Sequence, residues 1–308
     1  MPLVSVIVNA HNGSRTLAET LGSVVGQTLR DIEIVFWDDA STDDTAAIAQ
    51  RHSPHGLRYF KTAGNRALGL GAARQAAIQV AQGDWIAFID QDDLWLPGAL
   101  AALVAQGSGD AAVGMVYGRA VRFWPDGRQV DFDHRHEFTA LPEGELFQRL
   151  FTESCFICIS ATLFRRQAVL AAGAIPADIR IIPDYFLFLE IAHRWRVRAV
   201  QQVVCRYRMH ATSMTHATRG RMQIEVLSLI DRWQHAISPA LAGQRRRVHA
   251  TVLAVEEIRR ADHRREGWRR LLREGSLPFL LSRPLAWAVR EVRRRLFQPQ
   301  WRRPGFLA

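Results

Sequence analysis

The first hundred residues alternate between two hydrophobic patterns, and this alternation restricts the fold more than any other feature of the sequence. Four β-rich apolar stretches are separated by three stretches whose apolar residues have helical spacing. Strands and helices that alternate at this interval predict an α/β fold with a mostly parallel central sheet and helices on both faces. The predicted strands are 3–8, 32–37, 57–61 and 84–89, and the predicted helices are 16–25, 45–50 and 70–81.

Three of the four predicted strands end in polar residues. Segments 9–14 and 38–44 follow the first and second strands, and the run Asp90-Gln91-Asp92-Asp93 follows the fourth. Ligands bind beyond the carboxyl ends of parallel strands, so these three segments are predicted to share one crevice. In the second segment we expect Ser41 or Thr42 to cap the next helix, which leaves Asp38 and Asp39 without a capping role.

The acidic run after the fourth strand is the candidate metal site. Carboxylates that abut an apolar strand cost free energy unless a cation or hydrogen bonds compensate them. Asp90 and Asp92 lie two residues apart, so an extended strand would point both carboxylates to one side, where a divalent ion bridging two phosphates fits. An ordinary acidic turn is the alternative, and the spacing alone does not decide between them.

The glycine-rich segment before the third helix is a second candidate binding element. Gly69 and Gly71 are followed by Arg74, where a dinucleotide-binding fingerprint needs a third glycine, so that interpretation fails. A glycine-rich loop leading into a helix, with Arg66 and Arg74 as cationic donors, instead predicts contact with a phosphate or a base. For Arg66, a simply solvated side chain is the alternative.

The positive charge of the chain is concentrated at its C-terminal end. The 308 residues carry a formal charge of +10, but residues 241–308 hold 17 arginines against six acidic residues. Three helices are predicted in this third of the chain, over 222–237, 247–273 and 285–297. The last helix places arginines among apolar residues, which suits either an anionic membrane surface or packing on its own domain.

Cysteines and hydrophobic segments indicate a reducing compartment and no membrane span. Three cysteines are too few for a disulfide framework. Cys155 and Cys158 form a C-x-x-C that could be a redox pair or half of a zinc site, and we favour the interpretation that both are buried thiols. The N-terminus has no basic region typical of a secretory signal, and the apolar stretch 277–289 is interrupted and too short to cross a bilayer. The sequence predicts a cytoplasmic protein, either free or peripheral on the inner face of the cell membrane.

Five motifs occur in order within the first 115 residues. They are Val4 through Asn9, Gln27-Thr28 before Ile32 through Val35, Asp38 through Asp43, Gly69 through Arg74, and Gly83 through Asp93. Together these motifs resemble the family 2 glycosyltransferases. This resemblance implies a GT-A type fold and an inverting transfer from a nucleotide-diphosphate sugar, with a UDP-sugar favoured and Mn²⁺ or Mg²⁺ as cofactor. The acceptor would be a saccharide or a lipid-linked molecule.

The resemblance also implies which residues bind the nucleotide. Asp39 corresponds to a carboxylate that hydrogen-bonds the nucleobase, and the end of the first strand, with Asn9 and His11, would lie against the base. His11 stands where many relatives have a tyrosine, so its stacking is a less direct expectation. Arg74 resembles an arginine that helps to hold the nucleotide.

Metal ligands and the catalytic base follow from the same resemblance. Asp90 and Asp92 match a D-x-D motif, with Asp92 expected to bind the cation directly and Asp90 to lie near the ribose. Asp184 matches the aspartate of a Glu-Asp motif and is the expected base, although Pro183 replaces the glutamate. His210 matches a histidine that contacts metal or diphosphate. The alternative for Asp184 is an N-cap of the helix, and the alternative for His210 is a surface histidine without a ligand.

The predicted organisation is a nucleotide-sugar-binding half over 1–115, an acceptor-binding and catalytic-base half over 116–215, and an arginine-rich helical extension over 216–308. The predicted function is sugar transfer to an acceptor hydroxyl in surface polysaccharide or glycolipid synthesis. A sugar-phosphate nucleotidyltransferase would share the nucleotide, metal and acidic cluster. A nucleic-acid-binding protein would use the C-terminal arginines but leave the acidic crevice unexplained, so no nucleic-acid partner is expected.

Overall fold

The computed structural model describes residues 2–132, 140–153, 155–210, 219–259 and 263–275. The chain divides into two compact units, Met1–Thr218 and Arg219–Ala308. The strands of the first unit are β1 Val4–Ala10, β2 Ile32–Asp38, β3 Leu57–Lys61, β4 Trp85–Asp90, β5 Leu94–Trp95, β6 Val113–Phe123, β7 Gln129–Asp131, β8 Thr162–Arg165 and β9 Arg196–Arg208. Its helices are α1 Leu17–Val25, α2 Thr45–Gln50, α3 Leu70–Val80, α4 Ala99–Gly107, α5 Phe147–Glu153, α6 Arg166–Ala171 and α7 Pro183–Arg194.

The first four strands form the predicted parallel sheet. They lie in the order β3-β2-β1-β4, and all three strand pairs are parallel. Every residue of β1 is buried, because helices cover the sheet on both faces. Alternate β1 residues, such as Val6 and Val8, pack in a core with Leu21 of α1, whereas α3 packs across β1 and β2.

The second half of the sheet is mixed. The order continues β8-β6-β9-β5, with β7 paired to β6. Only β6 and β9 run parallel here, and β8 lies antiparallel to both β4 and β6. The regular strand–helix alternation ends after β4, so the prediction of a mostly parallel sheet describes the first half. The whole sheet contains both parallel and antiparallel pairs, and the fold is α/β. Helices still lie on both faces.

The second unit is helical where it is described. Its helices are α8 Arg219–Trp233, α9 Pro239–Arg259 and α10 Arg264–Glu274. The predicted helix over 247–273 is thus two helices, α9 and α10, and the predicted helix over 285–297 lies outside the described residues. Among the residues that the structure describes, no helix is long and apolar enough to cross a membrane.

Candidate active site

Hydrogen bonds join the polar segments after β1, β2 and β4 into one crevice, as the sequence predicts. The His11 backbone N donates to Gln91 Oε1 over 2.9 Å, and Gln91 Nε2 donates to His11 O over 3.3 Å. The His11 ring donates from Nδ1 to Asp39 O over 2.7 Å. His11 therefore connects the ends of β1, β2 and β4.

The segment after β2 is organised differently from the predicted helix cap. Ser41 Oγ accepts a hydrogen bond from Asn12 N, and Asn12 Oδ1 accepts one from Thr42 N. Helix α2 begins only at Thr45, whose N–H donates to Asp43 Oδ1 over 3.0 Å. Burial opposes ionisation of Asp43, but hydrogen bonds from Thr45 and from the β1 loop outweigh it and lower its pKa. The prediction that Ser41 or Thr42 caps the helix was wrong, because Asn12 engages both residues.

Asp39 holds the glycine-rich loop against the end of β2. Its Oδ1 accepts hydrogen bonds from Thr62 Oγ1 at 2.8 Å and from Leu68 N at 2.7 Å. Its Oδ2 accepts one from Gly69 N at 2.8 Å. Gly69 has a φ of 90°, a conformation that favours glycine. A carboxylate oxygen has two lone pairs, so Oδ2 can accept a second donor such as a nucleobase N–H.

The neighbouring Asp38 has a purely structural environment. It is fully buried, its Oδ1 accepts a hydrogen bond from Ser41 N at 2.8 Å, and its Oδ2 accepts one from Tyr59 Oη at 2.6 Å. Burial and the Asp38 charge together raise the pKa of Tyr59 above its usual range. Of the two adjacent aspartates after β2, Asp39 alone therefore faces the crevice loop.

Arg74 brings a buried positive charge to the acidic cluster. It is 1% exposed on α3, and its Nη2 lies 2.6 Å from Asp90 Oδ1. Its guanidinium lies 5.6 Å from the centre of the Phe88 ring, and within the described part of the chain its Nη1 has no hydrogen-bond partner. Arg66 is exposed on the loop before α3. Arg74 thus neutralises part of the acidic cluster, and anion binding by Arg74 and Arg66 stays a prediction.

The acidic run forms a turn rather than a continuation of the strand. β4 ends at Asp90, and Asp93 N donates back to Asp90 O over 3.1 Å. Asp92 Oδ2 lies 2.6 Å from His210 Nε2, two residues beyond the end of β9. Burial first, and then the charge of Asp90, raises the pKa of Asp92, while His210 opposes the rise. The turn, and not the alternation of a strand, brings Asp92 against His210, while Asp90 lies against Arg74.

Asp93 fastens this turn to two other parts of the fold. Its side chain is fully buried, with Oδ2 accepting from Ser160 Oγ at 2.5 Å and Oδ1 accepting from Arg208 N at 3.0 Å. Ser160 Oγ also accepts from Asp90 N, and Arg208 Nε donates to Asp92 O over 2.8 Å. Burial and the neighbouring carboxylates raise the pKa of Asp93 well above its usual range. These bonds fix Asp90 and Asp92 relative to the end of β9.

Asp184 reaches the same site from the second half of the sheet. It lies in the first turn of α7, whose N-cap is Ile182, and its Oδ1 accepts a hydrogen bond from Tyr185 N at 2.9 Å. The carboxyl is surrounded by protein atoms, although part of its surface stays accessible. Burial raises its pKa; Arg74 opposes this rise and Asp90 adds to it. Asp184 is therefore electrostatically coupled to the Arg74–Asp90 pair and is not the helix cap.

Asn9 lies at the base of the crevice, between Trp37 of β2 and Asp90 of β4 in the sheet register. It is 8% exposed, and among the described residues neither polar atom of its amide has a hydrogen-bond partner. A buried amide without partners costs free energy, so a ligand or water that supplies them would bind favourably. This is the position expected for a residue that contacts the nucleotide.

Gln91 and Ser160 are site residues that the sequence did not indicate. Gln91 is the middle residue of the D-x-D motif, and hydrogen bonds of its side-chain amide connect the turn to the His11 backbone. A Cβ on Gly13 would meet Gln91 Oε1 at 2.4 Å, so that glycine leaves room for the contact. Ser160 lies 67 positions from the aspartate it binds, with no motif around it. Only the folded chain brings it to the turn.

Two groups of side chains have the chemistry of metal ligands. Carboxylates of Asp90 and Asp92 with the His210 imidazole offer hard oxygen and borderline nitrogen donors, which suit Mn²⁺ better than Mg²⁺. The second group is Asp93, Cys158 and Cys205, whose ligand atoms lie within 4.8 Å of one another. Within the first group, Asp92 contacts His210, whereas Asp90 is held by Arg74, so the role of this group as a metal site stays a prediction.

The second group is less suited to an ion. Burial raises the pKa of both thiols, so three buried groups would have to lose protons together. Cys158 pairs with Cys205, whereas Cys155 Sγ donates to Ile157 O. The interpretation of the C-x-x-C as buried thiols holds for Cys158, whereas Cys155 is only half-buried; the two have different partners and both are free of disulfides.

Comparison with known proteins gives a family for this arrangement. The family model described as Glycosyl transferase family 2 matches residues 5–171. The chain is 40% identical over 96 residues to the Escherichia coli UDP-Glc:alpha-D-GlcNAc-diphosphoundecaprenol beta-1,3-glucosyltransferase WfaP, which is 31% of this chain and 38% of WfaP. It is 26% identical to the putative glycosyltransferase EpsH of Bacillus subtilis, over 75% of this chain and 67% of EpsH. It also matches 27% of the length of E. coli chondroitin synthase.

Solved structures resemble the fold over nearly the whole chain. S. aureus TarS 1–349 in complex with UDP-GlcNAc superposes with a TM-score of 0.60 at 18% identity, covering 92% of this chain and 77% of that one. The mannosyltransferase PcManGT from Pyrobaculum calidifontis, in complex with GDP-Man and Mn²⁺, gives a TM-score of 0.61 at 20% identity, covering 97% and 81%. At these identities the likeness establishes the fold, which is the GT-A type.

Proposed function

The chain belongs to glycosyl transferase family 2, and we propose that it is an inverting glycosyltransferase that moves a sugar from a nucleotide-diphosphate sugar to an acceptor hydroxyl. One observation carries the proposal. Asp92 with His210, Arg74 with Asp90, and Asp184 come from four separate elements and converge beyond the carboxyl ends of the strands. We place the activity in the synthesis of a surface polysaccharide or glycolipid, as in the names of several relatives.

Asn9, His11 and Asp39 would hold the nucleoside. Asp39 Oδ2 accepts a hydrogen bond from Gly69 N and has a second lone pair to offer a base N–H. The Asn9 amide, which has no hydrogen-bond partner among the described residues, lies near the end of the neighbouring strand β1. We favour a UDP-sugar, because TarS was solved with UDP-GlcNAc and WfaP is named for UDP-Glc. PcManGT, solved with GDP-Man, makes a GDP-sugar the alternative.

Asp92 and His210 would hold the cation, and Arg74 and Arg66 would bind the diphosphate. The donor set of carboxylate and imidazole favours Mn²⁺ over Mg²⁺. When bound, such a cation supplies positive charge where the leaving diphosphate becomes more negative. Arg74 would contribute positive charge as well, through a buried guanidinium whose Nη1 has no hydrogen-bond partner within the described part of the chain.

Asp184 would act as the base. Its ionised carboxylate takes the proton of the acceptor hydroxyl while the hydroxyl oxygen bonds to the anomeric carbon from the face opposite the diphosphate. The bond from that carbon to the phosphate oxygen breaks, its electron pair leaves with the diphosphate, and the configuration inverts. Burial makes Asp184 a better base than an ordinary aspartate because it raises the pKa of the carboxyl.

The acceptor would be a saccharide or a lipid-linked saccharide. We expect its contacts between Val116 and Arg180, in the strands and loops that precede α7. WfaP is named for an acceptor on diphosphoundecaprenol. An acceptor of that class lies in a membrane, so we propose that the protein acts as a peripheral protein at the inner face of the cell membrane.

A thermal-shift screen of nucleotide-sugars with and without Mn²⁺ tests the donor site. We expect one donor to raise the melting temperature only when Mn²⁺ is present, since binding to the folded state alone stabilises it. Asp92→Ala should remove the Mn²⁺-dependent part of the shift. The matched control is Asp31→Ala, an exposed aspartate before β2 at the opposite end of the sheet, which should leave the shift unchanged.

Product analysis then separates the two enzyme classes that this site could serve. A glycosyltransferase releases a nucleoside diphosphate from the donor, whereas a sugar-phosphate nucleotidyltransferase releases pyrophosphate from a nucleoside triphosphate. Pyrophosphate release, or a donor shift that Asp92→Ala does not alter, would contradict the assignment.

A further inference from the structure

Helix α10 in the second unit exposes an unusual combination of side chains. Trp268 is 52% exposed and Leu272 is 83% exposed, the highest value among the large hydrophobic residues described. One helical turn separates the two, so they lie on the same side. Arg265, Arg269 and Arg273 are exposed beside them. We call these five residues the α10 outer face.

Packing on α9 fixes which side of α10 faces outward. A Cβ on Gly267 would lie 2.7 Å from both Ala254 O and Ile258 N, so α10 approaches the α9 backbone closely at this position. Arg270 Nε and Nη2 donate to the Glu257 carboxylate over 3.0 and 3.2 Å. At 100° per residue these two positions lie on the side opposite Arg269 and Leu272. The exposure of the α10 outer face is therefore a consequence of the packing of the second unit.

We propose that the α10 outer face binds the surface of an anionic lipid bilayer. α10 contains five arginines against two glutamates, and one glutamate, Glu266, is engaged by His263. Arginines of the face would pair with lipid phosphates, Trp268 would lie at the level of the headgroups, and Leu272 would enter the acyl boundary. The inference deepens the proposed function, since it gives the membrane location a contact surface.

Charge and apolar exposure together distinguish the bilayer from other occupants. A second copy docked face to face would bring two arginine clusters together, which is electrostatically unfavourable. The chain's own segment 276–308 holds seven arginines and one acidic residue, so it repels the face in the same way. A nucleic acid would satisfy the arginines but offers no apolar phase for Leu272. An anionic bilayer satisfies both parts of the face.

Co-sedimentation of the full chain with vesicles tests the proposal. We expect binding to vesicles of phosphatidylcholine with phosphatidylglycerol and little binding to phosphatidylcholine alone. Each arginine near the surface contributes about fivefold to the affinity for anionic lipid. The triple change Arg265→Gln, Arg269→Gln and Arg273→Gln should therefore lower this affinity on the order of a hundredfold. The double change Trp268→Ser and Leu272→Ser should also weaken binding. Leu170→Ser, at a 43% exposed leucine of α6, is the matched control and should bind as the unchanged protein does.

Several outcomes would overturn the proposal. These are no binding by the unchanged protein, equal binding by all variants, or binding to neutral vesicles that equals binding to anionic ones. A dimer in light scattering that the double change dissociates, or RNA binding without vesicle binding, would assign the face to another partner. The Mn²⁺-dependent donor shift is measured on the same variants and should be unchanged, so failure of membrane binding and failure of the transferase assignment are distinguishable.

Discussion

At Asp184, the burial that lowers stability also suits the proposed role of base. It is enclosed by protein at the start of α7, and burial raises its pKa. A carboxyl whose pKa is raised by folding stabilises the protein fully only below its unfolded pKa of about 3.9. This contribution is lost as the pH rises through the folded value, so at neutral pH the ionised Asp184 destabilises the fold. The same shift makes it a stronger base.

We therefore predict that Asp184→Asn lowers transfer by about 10²- to 10⁴-fold while donor binding remains. The variant should also melt at a higher temperature than the unchanged protein at pH 7, and this difference should vanish near pH 4 because Asp184 is then neutral. Transfer assays, donor-dependent thermal shifts and pH-dependent melting measure the three effects.

Asp84→Asn, at an exposed aspartate before β4, is the control and should change neither activity nor the pH dependence of melting. In the unchanged protein the transfer rate should fall as the pH drops through the raised pKa, at a higher pH than an ordinary aspartate would give. Normal turnover by Asp184→Asn would rule out the base assignment.

At the level of helices, α3 closely approaches the backbone of the segment that leads into α7. A Cβ on Gly71 would lie 2.5 Å from Ile179 O, in the segment that leads into α7. Both Arg74 and Asp184 depend on this contact, because Arg74 follows Gly71 in α3 and Asp184 begins α7. Gly22 in α1 is the opposite case, since an added Cβ there meets nothing within 4 Å.

Two glycine-to-alanine changes should therefore have opposite effects. Gly22→Ala should stabilise the protein by about 0.5–1 kcal/mol, because alanine has the higher helix propensity and restricts the unfolded chain. Gly71→Ala should destabilise it by about 1–3 kcal/mol, because a backbone carbonyl has to move. Gly71→Ala should also lower kcat. Urea unfolding and steady-state kinetics measure both effects, and equal signs for the two variants would contradict the positioning role of Gly71.

The elements of the first half were predictable because each is encoded locally. β2 and β3 begin at the predicted residues, α2 and β3 match the predicted bounds, and the polar ends of β1, β2 and β4 follow from the pattern. Ser160 and the mixed pairing of β8 were not predictable, since they depend on contacts between distant segments. The cap of α2 was missed because Asn12, from another strand end, engages Ser41 and Thr42 instead.

At the scale of the whole molecule, the two units differ in net charge. Segment 219–308 holds 20 arginines and eight acidic residues, whereas 1–218 holds 20 basic and 22 acidic ones. All of the candidate site residues, from Asn9 to His210, lie in the nearly neutral first unit. Recognition of a nucleotide-sugar needs the local charges of its crevice, whereas attraction to an anionic surface grows with the number of cationic groups near it. The two proposed functions thus belong to different units.

We predict that a protein comprising residues 1–218 unfolds cooperatively and keeps the Mn²⁺-dependent shift with its donor, because the first unit has its own buried core. It should lose binding to phosphatidylglycerol vesicles, since the α10 outer face and most of the positive charge are absent.

Sugar transfer by residues 1–218 shows whether the site is complete in this unit. If it is, the rate of transfer to a soluble saccharide acceptor should stay within about tenfold of the rate of the full chain, whereas transfer to an acceptor in vesicles should fall further. Equal losses on both acceptors would show instead that the second unit supports catalysis itself. Thermal melting, vesicle co-sedimentation and paired acceptor assays distinguish these outcomes.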